Sequence, residues 1–434
     1  LSSVPGSLDN ATLQGYLSVS PTAILDGTET TDTLTWDFNS GAEAFDFLAD
    51  GETLVLTYTI SATDDDGASL SDTETVTVTI TGTNDSPDVH VDTGDSAAET
   101  LGQTGATLTT SGTLTVDDFD LTDSVSSTIS NVAASGDTTG LASNNSELLA
   151  MLASTASVID GTETTNTLTW DFNSGSETFD YLATGESLTL TYTITVTDSQ
   201  SATDTQNVVI TITGNNNAPV ITVETGDSAA ETLAETDATL TSTGTLTVTD
   251  ANLRDTVSST VTGVVSSGTT TGLGSDNAAL QAMLTSTGAV LDSSETSDQL
   301  TWNFNSGAEA FDYLANGESL TLTYTIEVTD SQGATDTQTV VITVNGTDAA
   351  PVITGGPDSS SLTETDSGLT DTGTVTIEDL DRSDNVAAAV DSVAVSGSGV
   401  ASVPGSLNNA TLQGYLSVSP TAILDGTEKT DTLT

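Results

Sequence analysis

The stretch Leu188-Thr-Leu-Thr-Tyr-Thr-Ile-Thr-Val-Thr-Asp198 decides the fold of this chain, because apolar residues and threonines alternate along it without a break. Successive side chains of a strand point to opposite faces, so the alternation predicts a β-strand with one buried face and one threonine face in water. Asp198 shares the phase of the apolar residues at the point where the run stops. A carboxylate is not stable in a core without a partner, so we expect Asp198 at the pole of a sandwich, beside a partner.

The same stretch occurs twice more, from Leu54 to Asp64 and from Leu320 to Asp330, which makes this a repeat protein. Prolines that follow polar segments recur at intervals of 132 residues, at positions 87, 219 and 351. We therefore expect two complete repeats, 87–218 and 219–350, preceded by the C-terminal part of a repeat, 1–86, and followed by an N-terminal part, 351–434. The first 34 residues return almost unchanged at the end of the chain, and a window of a longer array is the simplest account.

Composition excludes several classes of partner. The chain carries 63 acidic residues against 3 basic ones and a net charge of −60, so nucleic acid and anionic membranes, which are polyanions, are not expected as partners.

The chain also lacks the residues for covalent cross-links within the interior repeats. It has no cysteine to form disulfides, and its single lysine, Lys429, excludes a lysine isopeptide from the interior repeats. No run of 18 apolar residues exists, so no membrane insertion is expected. With 35% apolar residues in a strict period, the chain is not disordered by composition.

Each repeat is predicted to be an all-β, immunoglobulin-like sandwich with a short helical insertion, and the array is predicted to be an extended rod. The helix is expected from Asn277 to Leu284, with Asp276 or Asn277 as the N-cap. About seven strands are expected in each repeat, among them one that contains the recurring tryptophan and one that contains the recurring tyrosine. The recurring tryptophans and tyrosines have the phase of core residues, so we expect them to pack inside the sandwiches: Trp36, Trp170, Trp302, Tyr58, Tyr192 and Tyr324.

Strand directions predict where the acidic residues lie. We call the end of a sandwich where the chain comes in its N-pole. The first strand of a repeat runs away from the N-pole and the next strand returns to it, so the acidic loop that follows lies at the N-pole. The last strand leaves at the far end. The strand that contains the recurring tyrosine is antiparallel to the last strand, so the loop after it also lies at the N-pole. Linker, acidic loop and the loop after the tyrosine strand should therefore meet at each N-pole. The predicted ligand residues of the two complete repeats are Asn84, Asp85, Asp118, Asp120, Asp123, Asp198 and Asp204, and then Asn216, Asn217, Asp250, Asn252, Asp255, Asp330 and Asp336. The partial repeats supply Asp64, Asp66 and Asp72, and Asp348, Asp379, Asp381 and Asp384.

A cation is expected at these poles, because several carboxylates cannot remain ionised together without one. Ca²⁺ fits best, since it takes about six to eight oxygen ligands from carboxylates, amides and carbonyls in irregular geometry. Zinc would favour histidine or cysteine, and the chain has one histidine, His90, and no cysteine. The alternative is that the acidic loops are simply solvated, as in proteins adapted to salt.

The segment Val328-Thr-Asp-Ser-Gln-Gly-Ala-Thr-Asp336, together with the strand from Val341 that runs into Pro351, resembles the VCBS repeat of giant bacterial surface adhesins of the RTX type. Thr83-Asn-Asp-Ser-Pro87 is similar to the calcium linker of cadherins. The resemblance covers the whole chain and implies cadherin-like sandwiches with calcium at their junctions. It also implies that a glutamate of the first strand reaches the following junction, which points to Glu99 and Glu231. The linkers Asn216-Asn217 and Asp348-Ala349 depart from the pattern by carrying less charge.

The sequence thus predicts a structural extender segment of a secreted, calcium-stiffened surface adhesin that acts in cell adhesion and biofilm at the bacterial cell surface. Its expected partners are calcium ions and neighbouring repeats of the same array. An enzyme is not expected, because the usual bases and nucleophiles are missing. The alternative is a subunit of an extracellular filament or matrix in which partial repeats complete one another by head-to-tail self-association. Mass in solution with calcium separates a monomer from a growing polymer.

Overall fold

The computed structural model describes residues 8–65, 67–355, 358–400, 404–405, 407–426 and 428–434. The chain divides into two compact units, 1–215 and 216–434. Strands dominate both units, and the α-helices among the described residues are only five or six residues long. The predicted fold class, tandem all-β sandwiches with short helical insertions, is therefore confirmed.

The first unit begins with a partial sandwich. Its described elements are α1 (Asn10–Gln14), β1 (Leu17–Ser20), β2 (Thr35–Phe38), β3 (Thr53–Thr63) and β4 (Ser71–Thr81). They form two antiparallel pairs, β1 with β2 and β3 with β4. A small core contains four buried leucines and the buried Phe45, and partly buried side chains of β2, β3 and β4 pack against it.

The rest of the first unit forms a complete sandwich, which we call sandwich A. Its elements are β5 (Asp88–His90), β6 (Ala98–Gly102), β7 (Thr109–Asp117), β8 (Ser124–Gly136), α2 (Asn145–Ala150), β9 (Leu152–Ser154), β10 (Ser157–Asp160), β11 (Thr165–Asn173), β12 (Ser187–Thr197) and β13 (Thr203–Thr213). One sheet has the order β10-β8-β12-β13-β6 and the other has the order β5-β7-β11-β9. All neighbours are antiparallel except β6 and β13, which run parallel.

The second unit contains sandwich B, which repeats this topology. Its elements are β14 (Val220–Thr222), β15 (Ala230–Ala234), β16 (Thr241–Thr249), β17 (Val257–Gly268), α3 (Asn277–Ala282), β18 (Leu284–Ser286), β19 (Ala289–Leu291), β20 (Ser297–Asn305), β21 (Ser319–Asp330) and β22 (Thr335–Asn345). The sheet orders are β14-β16-β20-β18 and β15-β22-β21-β17-β19. A further partial sandwich follows, with β23 (Val352–Ile353), β24 (Val375–Glu378), β25 (Asn385–Ala387), α4 (Asn409–Gln413), β26 (Ala422–Asp425) and β27 (Thr430–Leu433).

The alternating stretch of the sequence forms β12, where every second residue is fully buried. Tyr192, in its middle, is 0% exposed and donates a hydrogen bond from its hydroxyl to the carbonyl of Leu148 in α2, at 2.9 Å. Tyr324 makes the same bond to Leu280 in α3, at 3.0 Å. Helices this short are not stable alone in water. The hydroxyl of the strand tyrosine therefore helps to hold each helix on its sandwich.

The prediction of buried tryptophans is correct for two residues and wrong for the third. Trp170 and Trp302 are 0% exposed, whereas Trp36 is 47% exposed. In sandwich A, β7 pairs along the whole of β11 and brings Gly112 opposite Trp170. Among the described residues, β2 pairs only with β1, so no strand covers Trp36 in this way.

The predicted helix is correct at its start and wrong at its end. Asp276 is the N-cap of α3, and its carboxylate accepts a hydrogen bond from the backbone of Ala279. The helix ends at Ala282, and Leu284 begins β18. β20 ends this helix early, because the backbone N–H of Asn305 binds the Met283 carbonyl and Leu284 pairs opposite Phe304. Sandwich B has nine strands where about seven were expected, and the two short strands β18 and β19 account for the difference.

Candidate functional site: acidic clusters at the N-poles

Three acidic clusters recur along the chain. Cluster 1 lies at the N-pole of sandwich A, cluster 2 at the N-pole of sandwich B, and cluster 3 at the start of the last partial sandwich. In each of them three carboxylates offer oxygen atoms that all lie within 4.8 Å of one another. These trios are Asp118, Asp123 and Asp198; Asp250, Asp255 and Asp330; and Asp348, Asp381 and Asp384.

Local turns position the first two carboxylates of cluster 1. The chain leaves β7 at Asp117, and the Asp118 carboxylate then accepts a hydrogen bond from the backbone N–H of Asp120, at 3.0 Å. A second turn follows, in which the N–H of Asp123 binds the Asp120 carbonyl at 3.0 Å. Short-range bonds of this kind are what aspartate forms readily in turns. They leave Asp118 and Asp123 buried, with 1% and 3% of their surface exposed.

The loop after β12 supplies the third carboxylate. Asp198 accepts hydrogen bonds from the backbone N–H groups of Gln200 and Ala202, at 2.9 and 2.8 Å. Its other oxygen accepts a hydrogen bond from the side-chain amide of Asn84 in the linker, at 2.9 Å. Asp198 is therefore held at the pole beside a partner, where its phase in the strand placed it.

The linker is also attached to the acidic loop. Asp120 is 0% exposed and accepts a hydrogen bond from the backbone N–H of Asp85, at 2.8 Å. Cluster 2 has the same bond between the N–H of Asn217 and the side-chain oxygen of Asn252, at 2.7 Å. In cluster 3 the N–H of Ala349 donates to Asp381, also at 2.7 Å. Linker and acidic loop thus meet at each of the three poles, as the strand directions predicted.

Several buried oxygen atoms of these clusters have no hydrogen-bond partner among the described residues. They include one oxygen each of Asn84, Asp118, Asp120 and Asp123 in cluster 1, Asn216, Asp250 and Asp255 in cluster 2, and Asp381 in cluster 3. A buried polar atom without a partner carries a large desolvation cost. A hard cation that binds only oxygen would satisfy these atoms, and the donor set therefore fits Ca²⁺.

The raised pKa values of the clustered carboxyl groups also favour a bound cation. Burial raises the pKa of Asp118 to about 6, and the charges of Asp123 and Asp198 add to the rise, against the opposing hydrogen bond from Asp120. Burial likewise raises the pKa values of Asp120, Asp250 and Asp381 to about 6. Crowded, buried carboxylates resist ionisation. A bound divalent cation would favour their charged forms.

Other predicted residues lie outside these trios. Asp204 and Asp336 each accept a hydrogen bond from the first strand of their sandwich, from the N–H of Val89 at 2.9 Å and of Ile221 at 3.0 Å. Asp379 lies in cluster 3, where its carboxylate accepts a bond from the N–H of Asp381 at 3.1 Å.

The remaining predicted residues belong to the first partial sandwich or to early strands. Asp64 accepts a bond from the N–H of Leu70 at 2.9 Å, and Asp72 lies in β4 opposite Ala62. Asp66 lies outside the described residues. Glu99 accepts a hydrogen bond from the Ser96 hydroxyl at 2.9 Å. Glu231 lies in β15 opposite Ile342, and neither glutamate joins an acidic group that the described residues form.

Two sets of residues near the junctions were not predicted from the sequence. Glu235, Asp237 and Asp312 form a fourth group within 4.8 Å, at the end of sandwich B opposite to cluster 2. Glu235 is 5% exposed and accepts a hydrogen bond from the Thr347 hydroxyl at 2.7 Å. The sequence did contain a sign of Asp312, because a Phe-Asp-aromatic segment follows each strand that contains a recurring tryptophan, at 45–47, 179–181 and 311–313.

The second set is in the first partial sandwich, whose Glu52 reaches cluster 1. The Glu52 carboxylate accepts a hydrogen bond from the Thr122 hydroxyl at 3.0 Å. Burial raises the pKa of Asp123, and the charges of Glu52 and Asp50 contribute to that rise. The N–H of Leu121 also binds the carbonyl of Phe47, at 3.3 Å. Cluster 1 therefore lies in contact with the partial sandwich that precedes it in the same unit.

The comparisons with known proteins give distant similarities. No family model and no curated protein matches the sequence. The chain is similar to extracellular cadherin domains 1–5 of protocadherin gamma B2, at 12% identity and a TM-score of 0.37, over 96% of this chain and 64% of that one. It is also similar to mouse protocadherin-24 EC1-3, at 13% and 0.29, over 76% and 90% of the two chains. A third similar structure is human CDH23 EC21-23, at 16% and 0.32, over 66% and 78%. The chain spans 64% of the protocadherin gamma B2 structure, and at these identities and TM-scores the likenesses carry no information on function.

Within the described part of the chain, no helix is long and apolar enough to cross a membrane.

Proposed function

We propose that this chain is a structural extender segment of a secreted surface adhesin, in which Ca²⁺ ions bind at the N-poles and stiffen the junctions between successive repeats. The bacterial VCBS-type family, the cell-surface location and a role in biofilm are part of this proposal. So are the repeat boundaries 1–86, 87–218, 219–350 and 351–434, and the absence of catalysis.

The observation that carries the proposal is the set of buried carboxylate oxygens without partners at the N-poles. Cluster 1 shows how an ion there would act on two repeats at once. Its ligands come from the linker and from two loops of sandwich A, and Glu52 of the preceding partial sandwich lies beside them. Without an ion, the mutual repulsion of these carboxylates disfavours the contact. Bound Ca²⁺ would supply the positive charge that removes this repulsion, so bending the junction would require breaking coordination bonds.

The first test is thermal unfolding of the full chain in chelator and in about 10 mM CaCl₂ at constant ionic strength. Extracellular modules bind Ca²⁺ with Kd values of about 10⁻⁴–10⁻³ M, so each occupied site should add about 1–3 kcal/mol to the unfolding free energy. For domains of this size, each kcal/mol corresponds to a shift of about 2–4 °C or more in Tm.

A matched pair of variants gives the control. The triple change Asp118→Asn, Asp250→Asn and Asp379→Asn removes one carboxylate from each cluster and should remove most of the calcium-dependent shift. The triple change Asp37→Asn, Asp171→Asn and Asp298→Asn removes the same charge from exposed strand positions and should leave the shift intact. A melting curve that calcium does not move, or moves equally in both variants, would favour simple solvated acidic loops.

A further inference from the structure

Clusters 1 and 2 have the same geometry but different charge. Their residues correspond one to one, since Asp118, Asp123 and Asp198 match Asp250, Asp255 and Asp330. At two positions, however, cluster 2 has a neutral amide where cluster 1 has a carboxylate. Asn252 stands in place of Asp120, and Asn217 stands in place of Asp85.

The substitution at 252 preserves the local structure. Asn252 is 0% exposed and accepts the linker hydrogen bond at 2.7 Å, as Asp120 does at 2.8 Å. The backbone N–H of Asn252 donates to Asp250 at 3.0 Å, which matches the bond from Asp120 to Asp118. The amide therefore performs the structural role of the carboxylate without its charge.

Cluster 2 nevertheless retains the features of a cation site. Asp250 and Asp255 are 2% and 3% exposed, and each has a buried oxygen without a hydrogen-bond partner among the described residues. The side-chain oxygen of Asn216 is in the same state, while its NH₂ group donates to Asp330 at 2.8 Å. All of these residues belong to the second unit.

We propose that cluster 2 is a weaker cation site than cluster 1 and releases its Ca²⁺ first when the ion is withdrawn. This inference rests on the proposed function. Calcium affinity in oxygen-ligand sites is tuned by the number of charged ligands, and cluster 2 has two fewer carboxylates. The same difference reduces repulsion in the ion-free state. Cluster 2 should therefore be less stabilised by calcium and also less perturbed by its removal.

The structure supplies matched reporters for the two sites. In cluster 1, the N–H groups of Gln200 and Ala202 donate to Asp198 at 2.9 and 2.8 Å. In cluster 2, the N–H groups of Gln332 and Ala334 donate to Asp330 at the same two distances. Amide hydrogen exchange in the loops 198–202 and 330–334, corrected for intrinsic rates, reports each site separately in the full chain.

The expected result of a calcium titration is that the loop 330–334 becomes protected at about tenfold or more higher Ca²⁺ than the loop 198–202, given the strength of the charge effect on affinity. The double variant Asn217→Asp/Asn252→Asp should lower the midpoint of 330–334 towards that of cluster 1. The reverse double variant, Asp85→Asn/Asp120→Asn, should raise the midpoint of 198–202 and leave 330–334 unchanged.

The outcomes separate this inference from the function on which it rests. Calcium could protect both loops with the same midpoint, or the two double variants could leave the midpoints unchanged. Either result would refute a difference in calcium affinity between the clusters but not calcium binding itself. If calcium protects neither loop, the proposed function itself fails, and the inference fails with it.

Discussion

At the N-poles, buried aspartates accept hydrogen bonds from the linkers between repeats. Asp198 shows how much of this could be predicted, because its phase in an alternating strand already required a partner at a pole. The strand directions also predicted that the linker residue Asn84 meets Asp198 across 114 positions, but which atoms of the two side chains bond could not be predicted from the sequence. Glu235 was missed for a similar reason. It follows the end of β15 and is 5% exposed, and Thr347, whose hydroxyl donates to its carboxylate, lies 112 positions away.

The raised pKa values predict an unusual pH dependence for the metal-free protein. Burial raises the pKa of Asp118 and Asp120 to about 6, from the ordinary aspartate value of 3.8. A carboxyl group whose pKa is higher in the folded state stabilises the fold below its unfolded pKa, and that contribution is lost as pH rises through the folded pKa. Metal-free protein should therefore lose stability between about pH 4 and pH 7. Calcium should reverse the trend, because its ligands must be deprotonated.

Chemical denaturation of resin-stripped protein at several pH values measures this effect. Repulsion among the charges of the whole chain, whose net charge is −60, also lowers stability as pH rises. The two variants that are compared must therefore carry the same net charge. The variant Asp118→Asn/Asp120→Asn should show a flatter dependence than Asp37→Asn/Asp171→Asn, which removes two exposed charges. Equal slopes would mean that the cluster does not contribute.

At the scale of elements, strands were predicted better than helices. The alternating stretches predicted the bounds of β12 and β21 to within one residue, because a strand buried on one face has an apolar residue at every second position. The end of α3 could not be predicted, since it is set by pairing of the following residues with β20 and not by a helix-stop signal. The exposure of Trp36 also depends on pairing, which the identical local motif does not reveal.

Pairing of β7 with β11 gives an element-scale prediction. A Cβ atom on Gly112 would lie 2.4 Å from the Trp170 ring, whereas one on Gly102 would meet nothing nearer than 4.0 Å. Gly112→Ala should therefore destabilise the protein by about 1–3 kcal/mol through overpacking. Gly102→Ala, in β6 of the same sandwich, is the matched control and should be close to neutral. Urea unfolding followed by tryptophan fluorescence measures both, and equal stabilities would contradict the close packing of ring and strand.

At the scale of the molecule, the repeat of 132 residues correctly predicted tandem sandwiches. The boundaries of the repeats and the identity of the ligands remain predictions. The contact between the first partial sandwich and sandwich A could not be predicted from the sequence, because it depends on single hydrogen bonds such as the one from the Thr122 hydroxyl to the Glu52 carboxylate.

This contact allows a direct test of stiffening within the first unit. The chain has no cysteine, so spin labels can be placed on cysteines introduced at Thr57 in β3 and Thr128 in β8, both exposed. The distance distribution between them should be narrow in calcium and broad in chelator. A control pair at Thr128 and Thr167, both inside sandwich A, should stay narrow in both conditions. A distribution across the junction that calcium does not sharpen would mean that protein contacts alone set its flexibility.

The parallel pairing of β6 with β13 has a mechanical consequence. Tension carried through the linkers pulls β6 towards the N-pole and β13 towards the opposite end, along the direction of both strands. Their register, from Ala98 opposite Val209 to Gly102 opposite Thr213, is then loaded in shear, so its bonds must break together. In single-molecule pulling, attachment at Ser86→Cys and Asn215→Cys should give a higher unfolding force than attachment at Thr104→Cys and Asn215→Cys, which peels the same ladder from one end. Similar forces would exclude this ladder as the clamp. A tether of such sandwiches would resist drag along its own length and yield easily to a load that peels its strands one bond at a time.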